Sequence, residues 1–143
     1  MGKLLCNMYE NVKSCVRNNG AMSSTFDCNV GVRQGCILSP FLFVFFINEL
    51  VVSVHQNCSD GIQLHPDIIQ VFLLLFADDI VMFSSTVKGL NDQIHQLENY
   101  CDNFQIRVNM DKTKIIVFKN GGKLSKHEKW KYKDQYLSVF VNF

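Results

Sequence analysis

Two adjacent carboxylates, Asp78 and Asp79, are the residues with the clearest potential for chemistry. They stand between two strongly apolar runs, residues 71–76 and 80–83. An unpaired carboxylate is costly to bury, and two adjacent ones repel each other. No Lys or Arg lies between Gly35 and Thr86 to neutralise them locally. The pair is therefore either an ordinary exposed turn or a site for a cation, and hard oxygen ligands suit Mg²⁺ or Mn²⁺.

The sequence around the two carboxylates predicts a β-hairpin with an acidic tip. Residues 68–76 form a continuous β-branched and aromatic run, which is typical of a buried strand, and residues 80–83 form a second one. Upstream, Ser39 is a residue type that commonly caps the N-terminus of a helix, and Pro40 is common at the first helical position. The helix that follows, at about residues 40–55, is apolar on nearly all sides, so we expect it to be largely buried.

Further helices and strands are predicted on both sides of the hairpin. Apolar residues at helical spacing indicate helices over 4–16 and 86–106, the first ended by Gly20. Extended segments are predicted at 21–30, 62–64, 113–118 and 136–141. Together these elements predict an α+β fold, with an antiparallel sheet and helices packed on one face.

Composition excludes few classes of protein. The chain has 143 residues, of which 48% are hydrophobic and 19% charged, as in one folded domain or a piece of a larger one. Residues 1–111 carry six Lys or Arg against eleven Asp or Glu, whereas residues 112–143 carry eight against two. This basic end is either a solvated tail or a contact for nucleic acid or another anionic partner.

Membrane and metal-cluster classes have little support in the sequence. The apolar runs 41–47 and 71–76 fall short of the ~20 residues that a spanning helix needs, so we expect no membrane contact. The six cysteines form no C-x-x-C pair, and no signal peptide precedes them, so we expect free thiols in an intracellular protein. His55, Cys58 and His65 lack the spacing and the fourth ligand of a zinc finger.

Three blocks of the sequence resemble one protein family in order and spacing. They are LLLFADDIVMFS around the acidic pair, GVRQGCILSPFLFVFFINEL at 31–50, and NYCDNFQIRVNMDKTKIIVF at 99–118. These blocks resemble the reverse transcriptases of non-LTR, LINE-type retrotransposons. The resemblance implies that residues 1–143 form a partial palm domain, with a leading helix at 1–19, a best-matching core at 20–118 and a basic, loosely matching end at 119–143.

The resemblance implies a role for the hairpin. In the FADD motif, Asp78 would bind metal and Asp79 would lie beside it near the primer end, with Mg²⁺ or Mn²⁺ as cofactor. Phe76 and Ala77 would border the nucleotide. The parent activity would be RNA-directed DNA polymerisation by a two-metal mechanism.

The other two blocks would supply the substrate contacts. Gln34 and Gly35 would lie against the RNA template and the incoming deoxynucleoside triphosphate, while the DNA primer ends at the hairpin. Lys112 or Lys114 would assist the leaving pyrophosphate, or else both belong to a solvated strand edge.

Two family features are missing from the sequence. The family places another metal-binding Asp on an earlier strand, but the only Asp before residue 31 is Asp27, in a polar stretch too close to the second block. A Tyr-Leu-Gly motif is replaced by Tyr136-Leu137-Ser138. We therefore expect a palm fragment that begins after the first catalytic strand, is inactive alone and tends to self-associate. The alternative is a non-catalytic palm remnant that binds nucleic acid or protein.

Overall fold

The computed structural model describes residues 2–28, 30–65, 69–122, 124–125 and 127–142. The chain divides into two compact units, Met1–Phe46 and Ile47–Phe143. Its helices are α1 (Gly2–Tyr9), α2 (Ser39–Asn57) and α3 (Val87–Phe104). The strands before α3 are β1 (Lys13–Ser14), β2 (Arg17–Asn18), β3 (Ala21–Met22), β4 (Phe26–Asp27), β5 (Ile62–His65), β6 (Ile69–Val71), β7 (Leu73–Phe76) and β8 (Asp79–Met82). Those after it are β9 (Lys114–Phe118), β10 (Lys131–Tyr132), β11 (Gln135–Tyr136) and β12 (Ser138–Asn142).

The fold is α+β, which confirms the sequence-based prediction. The described strands pair two by two. Five pairs are antiparallel, namely β1 with β4, β2 with β3, β5 with β6, β7 with β8 and β10 with β11. The pair of β9 with β12 is parallel, with Ile115 opposite Val139 and Val117 opposite Val141.

The first predicted helix is much shorter than expected. It ends at Tyr9 instead of residue 16, and Asn11 already has a left-handed φ of 57°. The following residues pair at long range, because the Cys28 N–H donates to the Val12 carbonyl at 2.7 Å. Asn19 and Gly20, with φ of 46° and 84°, form the turn between β2 and β3 and do not end a helix. Apolar spacing cannot reveal such non-local pairing.

Helix α2 forms where the sequence predicts it, but the expectation that it is largely buried is wrong. Its buried positions Ile47, Leu50 and Val54 follow helical spacing, whereas Phe45 remains 77% exposed. Phe41, Val44 and Val52 are exposed as well. By length and composition alone α2 is also apolar enough to cross a membrane, as the core helices of many soluble proteins are. The absence of membrane contact therefore stays a prediction.

The run at 68–76 is not one continuous strand. Residue 68 lies outside the described residues, β6 pairs with β5, and β7 pairs with β8. Phe72 lies between β6 and β7 and is buried, whereas Leu74 and Phe76 are exposed. The predicted buried strand is thus two short strands with different partners. It is only partly buried, because alternate residues of β7 face solvent.

The core of the second unit lies between α3 and the strands that follow it. Ile94 of α3 packs with four buried side chains from later in the chain, Ile115, Trp130, Tyr132 and Leu137. Leu90 and Leu97, on the same predicted face of α3, pack against this cluster. Burial of such side chains contributes about 1.5–3 kcal/mol each. The amphipathic helix predicted at 86–106 is confirmed, two residues shorter at its C-terminal end.

The described cysteines are all free, as predicted, and Cys58 and Cys101 are buried. The described residues contain no group of three His, Cys, Asp or Glu side chains that could hold a metal ion. His55, Cys58 and His65 therefore do not come together as such a group. The His55 ring instead meets Phe72 edge-on, with 4.9 Å between ring centroids.

Candidate functional site

The acidic tip is a two-residue turn between β7 and β8. The cross-strand pairs run from Leu73 opposite Met82 to Phe76 opposite Asp79. Between the two strands, only Ala77 and Asp78 lie outside the ladder. Ala77 has a φ of 52°, the left-handed conformation that such a tight connection requires here. Asp78 is thus at the turn, whereas Asp79 is the first residue of β8. The predicted hairpin is confirmed.

Both carboxylates at the tip are open to solvent. Asp78 and Asp79 are exposed, and neither side chain has a hydrogen-bond or ion-pair partner among the residues that the structure describes. Their oxygens therefore remain available to an external cation. Adjacent carboxylates are hard ligands of the kind that Mg²⁺ and Mn²⁺ prefer, so the donor chemistry fits a divalent metal. Two carboxylates are only part of a ligand set.

The two faces of the hairpin differ. Leu73, Leu75, Ile80 and Met82 alternate on a half-buried face. Leu74, Phe76, Asp79 and Val81 lie on the exposed face, where Phe76 is 82% accessible. The exposed face thus presents an aromatic ring beside a carboxylate, next to further apolar surface.

The base of the hairpin is fixed to helix α3 through Gln93, a residue that sequence reasoning missed. This fully buried amide donates to the Phe83 carbonyl at 2.7 Å and to the Asp60 carbonyl at 3.0 Å. The Phe83 N–H donates to the Phe72 carbonyl at 2.7 Å, which extends the ladder beyond β7 and β8. One buried side chain therefore joins the base of the hairpin to the helix that follows it.

Asp60 reinforces this attachment. Its carboxylate accepts hydrogen bonds from the hydroxyls of Ser84 at 3.0 Å, Ser85 at 2.5 Å and Thr86. Hydrogen bonds from Ser85 and Thr86 hold the pKa of the Asp60 carboxyl below its ordinary value. Thr86 is also the N-cap of α3, where its Oγ1 accepts from the Gly89 N–H at 3.0 Å. The available sequence signals were the Asp60-Gly61 turn and the Ser84-Ser85-Thr86 run, but nothing local indicated that they meet.

The predicted substrate residues Gln34 and Gly35 lie at the corner of a turn in the first unit. The Cys36 N–H donates to the Arg33 carbonyl at 3.2 Å, and Gly35 has a φ of 81° at the third position of the turn. A positive φ there is the signature of a type II turn and favours glycine. The Ser39 hydroxyl donates to the Arg33 carbonyl at 2.5 Å, which fixes the turn at the start of α2.

Lys114 is the first residue of β9 and Lys112 lies two residues before it, in the same unit as the hairpin. Asn109 shapes this segment: its side-chain oxygen accepts from the Lys112 N–H at 3.3 Å, and its carbonyl accepts from the Thr113 hydroxyl at 2.8 Å. Lys114 places its ammonium 5.4 Å from the centre of the Phe140 ring. The Lys112 ammonium has no partner among the described residues. Of the two ammonium groups, that of Lys114 therefore contacts an aromatic ring, whereas that of Lys112 is available to an outside anion.

The basic end is only partly as predicted. Lys123 and Lys126 lie outside the described residues. Trp130 and Tyr132 are buried at 4% and 7% exposure and belong to the core beneath α3. Neither ring therefore offers a stacking surface to a partner of the basic end. Lys119 and Lys133 are engaged in ion pairs with Glu128 at 2.7 Å and Asp102 at 2.5 Å.

The chain is similar to a known protein family and to a transposon protein. The family described as "Reverse transcriptase (RNA-dependent DNA polymerase)" matches residues 3–139. A relative from Xenopus laevis, the "Transposon TX1 uncharacterized 149 kDa protein", is 26% identical over 110 residues, which is 77% of this chain. The chain spans 8% of that relative's length.

Proposed function

Because the chain belongs to the reverse transcriptase (RNA-dependent DNA polymerase) family, we propose that it supplies the acidic hairpin of a polymerase palm. The parent activity would be RNA-templated DNA synthesis, with an RNA template, a DNA primer and deoxynucleoside triphosphates as partners. The similarity to a transposon protein supports an origin in a non-LTR retrotransposon. The observation that carries the proposal is the exposure, on an anchored turn, of two carboxylates that have no partner among the described residues.

Asp78 and Asp79 would hold the divalent cation, Mg²⁺ or Mn²⁺. When bound, such ions activate the attacking hydroxyl and stabilise the leaving oxygens in nucleotidyl transfer. The chain itself would contribute by holding the two carboxylates in position. Gln93 and Asp60 fix the base of the hairpin, so that its tip presents both carboxylates with little reorganisation.

The family resemblance gives further residues a role at the nucleotide. Phe76, exposed beside Asp79, would border the sugar and base of the nucleotide, and Ala77 would keep the turn small. Gln34 and Gly35 would contact the template and the incoming nucleotide through the exposed turn that they form. The Lys114 ammonium lies over the Phe140 ring, whereas the Lys112 ammonium has no partner in the described part of the chain. Lys112 is therefore the better candidate to meet the leaving pyrophosphate.

A hairpin graft into an active reverse transcriptase tests this function. Residues 73–82 would replace the corresponding hairpin, and primer extension on an RNA template would be measured. We expect the graft to retain activity and Asp78→Asn within it to lose at least about 100-fold, since a metal ligand is removed. Val81→Thr on the exposed face serves as control. If the graft were active and indifferent to both Asp78→Asn and Asp79→Asn, the proposed role of the hairpin would be wrong.

The second candidate function is a non-catalytic palm remnant that binds nucleic acid or protein. The observation that favours it is the exposure of Lys112, Lys129 and Lys131 in the basic end. This function requires no metal. Nucleic-acid binding that persists in the Asp78→Asn, Asp79→Asn double variant, together with an inactive graft, would favour the remnant over the polymerase.

A further inference from the structure

The turn of the β10–β11 hairpin has a backbone conformation that its own sequence does not favour. Tyr132 pairs with Gln135, so Lys133 and Asp134 form a two-residue turn at the end of a very short ladder. Lys133 has a φ of 53°, a left-handed conformation that glycine and asparagine adopt far more readily than lysine. A residue other than glycine keeps such a conformation only when surrounding contacts hold it there. The turn therefore depends on support from outside the hairpin.

Helix α3 supplies this support through two acidic residues that lie one helical turn apart. The Lys133 N–H donates to the Glu98 carboxylate, and the Lys133 ammonium forms an ion pair with Asp102 at 2.5 Å. The second oxygen of Glu98 lies 3.3 Å from Nδ1 of His95, which orients the carboxylate on the helix surface. The Glu98 side chain is only 20% exposed, whereas that of Asp102 is 62% exposed. Because exposed ion pairs contribute little, the Glu98 contact is the stronger of the two.

The same helix also holds the base of the acidic hairpin. Gln93 donates to the Phe83 and Asp60 carbonyls, and Glu98 accepts from Lys133 five residues later, about 7.5 Å along the helix axis. Helix α3 is continuous over this stretch and packs on the core of the second unit. The β7–β8 hairpin and the β10–β11 turn are therefore attached to one common element.

We propose that Glu98 is a positioning residue that holds the β10–β11 turn on α3 and so keeps this turn at a fixed orientation relative to the β7–β8 hairpin. The inference rests on the proposed function, because a fixed orientation has a use only if both parts of the chain meet the same substrate. Glu98 itself contacts neither metal nor substrate. Its role requires a hydrogen-bond acceptor opposite the Lys133 N–H and does not require a negative charge.

The experiment compares variants of the 143-residue chain by nuclear magnetic resonance, without metal or nucleic acid. Residual dipolar couplings of the backbone N–H groups report the orientation of each segment, and amide hydrogen exchange reports local opening. In the wild type, β7–β8, α3 and residues 133–135 should fit one alignment tensor. Glu98→Ala should lower the couplings of residues 133–135 alone and speed exchange of the Lys133 amide at least about tenfold, since a hydrogen bond to a charged acceptor is lost. Glu98→Gln should restore both, because its amide oxygen also accepts.

Two further variants serve as matched controls. Asp92→Ala removes an exposed acid of α3 that makes no hydrogen bond or ion pair with the residues that the structure describes. Asp102→Asn removes the charge that pairs with the Lys133 ammonium and leaves the Lys133 N–H bound to Glu98. Both should keep the wild-type couplings at residues 133–135. The single tryptophan of the chain, Trp130, is buried beneath α3 and should stay shielded from acrylamide in every variant.

Three results would overturn the proposal. Unchanged couplings and exchange in Glu98→Ala would show that the turn is held without Glu98. Equal losses in Glu98→Ala and Glu98→Gln would show that acceptance of the Lys133 N–H is not what holds the turn. Quenching of Trp130 by acrylamide in Glu98→Ala would show that Glu98 supports the core of the unit and not the turn.

These measurements also separate the inference from the proposed function. They contain no metal and no nucleotide, so they do not depend on the activity of the hairpin graft. An inactive graft together with the expected Glu98 results would refute the polymerase role and keep Glu98 as the residue that positions the turn. An active graft with unchanged couplings in Glu98→Ala would do the reverse.

Discussion

Phe76 and Asp79 face each other across the β7–β8 hairpin as the last cross-strand pair before the turn. Both project to the exposed face, so an aromatic ring and a carboxylate are neighbours at the end of a ladder that is anchored at its base. This relationship places Asp79 on a strand and Asp78 on the turn. The two carboxylates are therefore positioned differently, although they are adjacent in sequence.

Divalent-metal binding at the tip should be weak. Asp78 and Asp79 provide two carboxylates, and the described residues contain no group of three metal-binding side chains to complete a site. Affinity depends on the number and geometry of ligands. Calorimetric titration with Mn²⁺ should give a dissociation constant of about 1 mM or weaker, and the Asp78→Asn, Asp79→Asn double variant should abolish binding. Asp134→Asn, another exposed acid, is the control. Tight binding that survives the double variant would place the metal elsewhere.

The purified 143-residue chain should not extend a primer by itself. A two-metal reaction needs more carboxylate ligands than the tip offers. The assay is extension of a DNA primer on an RNA template with Mg²⁺ and all four deoxynucleoside triphosphates. Extension that vanishes in Asp78→Ala would contradict the expectation and show that the chain completes the site.

Stability should decrease at low pH through Asp60. Its pKa is lowered in the folded state by the hydroxyls of Ser85 and Thr86. A carboxyl whose pKa is lower in the folded than in the unfolded chain stabilises the fold at pH values above its unfolded pKa, which is about 3.9 for Asp. This stabilisation is lost as the pH falls through the folded pKa. Glu128, whose pKa is lowered by Lys119, acts in the same direction. Urea unfolding between about pH 6 and pH 2 should show a shallower dependence in Asp60→Asn. If the pH dependence of unfolding were the same in Asp60→Asn as in the wild type, Asp60 would not contribute to the loss of stability at low pH.

Gly89→Ala should destabilise the chain even though alanine favours helices. A Cβ at Gly89 would lie 2.5 Å from the Asp60 Cβ and 2.6 Å from the Ser84 Oγ. Such overpacking costs about 1–3 kcal/mol, more than the gain of up to about 1 kcal/mol in helix propensity. Thermal unfolding measures the difference. Lys88→Ala, at the exposed neighbouring position, should change little, and a stabilised Gly89→Ala would refute the close contact.

Self-association should occur through exposed apolar surface. On the outer face of β9 and β12, Phe118 is 77% exposed, Ile116 59% and Phe140 53%. Contiguous apolar patches and open strand edges favour association. Gel filtration should show a concentration-dependent shift that Phe118→Ser reduces. Leu4→Ser, which removes an exposed apolar side chain from the other unit, is the control. A sharp monomer peak at all concentrations would contradict the expectation.

The sequence by itself determined the elements whose signals are local. The acidic turn between two apolar runs predicted the β7–β8 hairpin, and the spacing of Leu90, Ile94 and Leu97 predicted α3 and its packed face. The order of the three blocks predicted the family. These features depend on residues that are close in sequence, so the pattern of residue types along the chain was sufficient to predict them.

Only the tertiary structure decided which surfaces are covered. Val12 and Cys28 pair across sixteen residues and replace the end of the predicted first helix with strands. Trp130 is buried and Tyr136 is exposed, although both are aromatic residues of one lysine-rich segment. Gln93 joins Asp60 to Phe83 through a buried amide. Each of these outcomes depends on partners that are distant in sequence, and burial depends on which elements pack together, so no local periodicity could predict them.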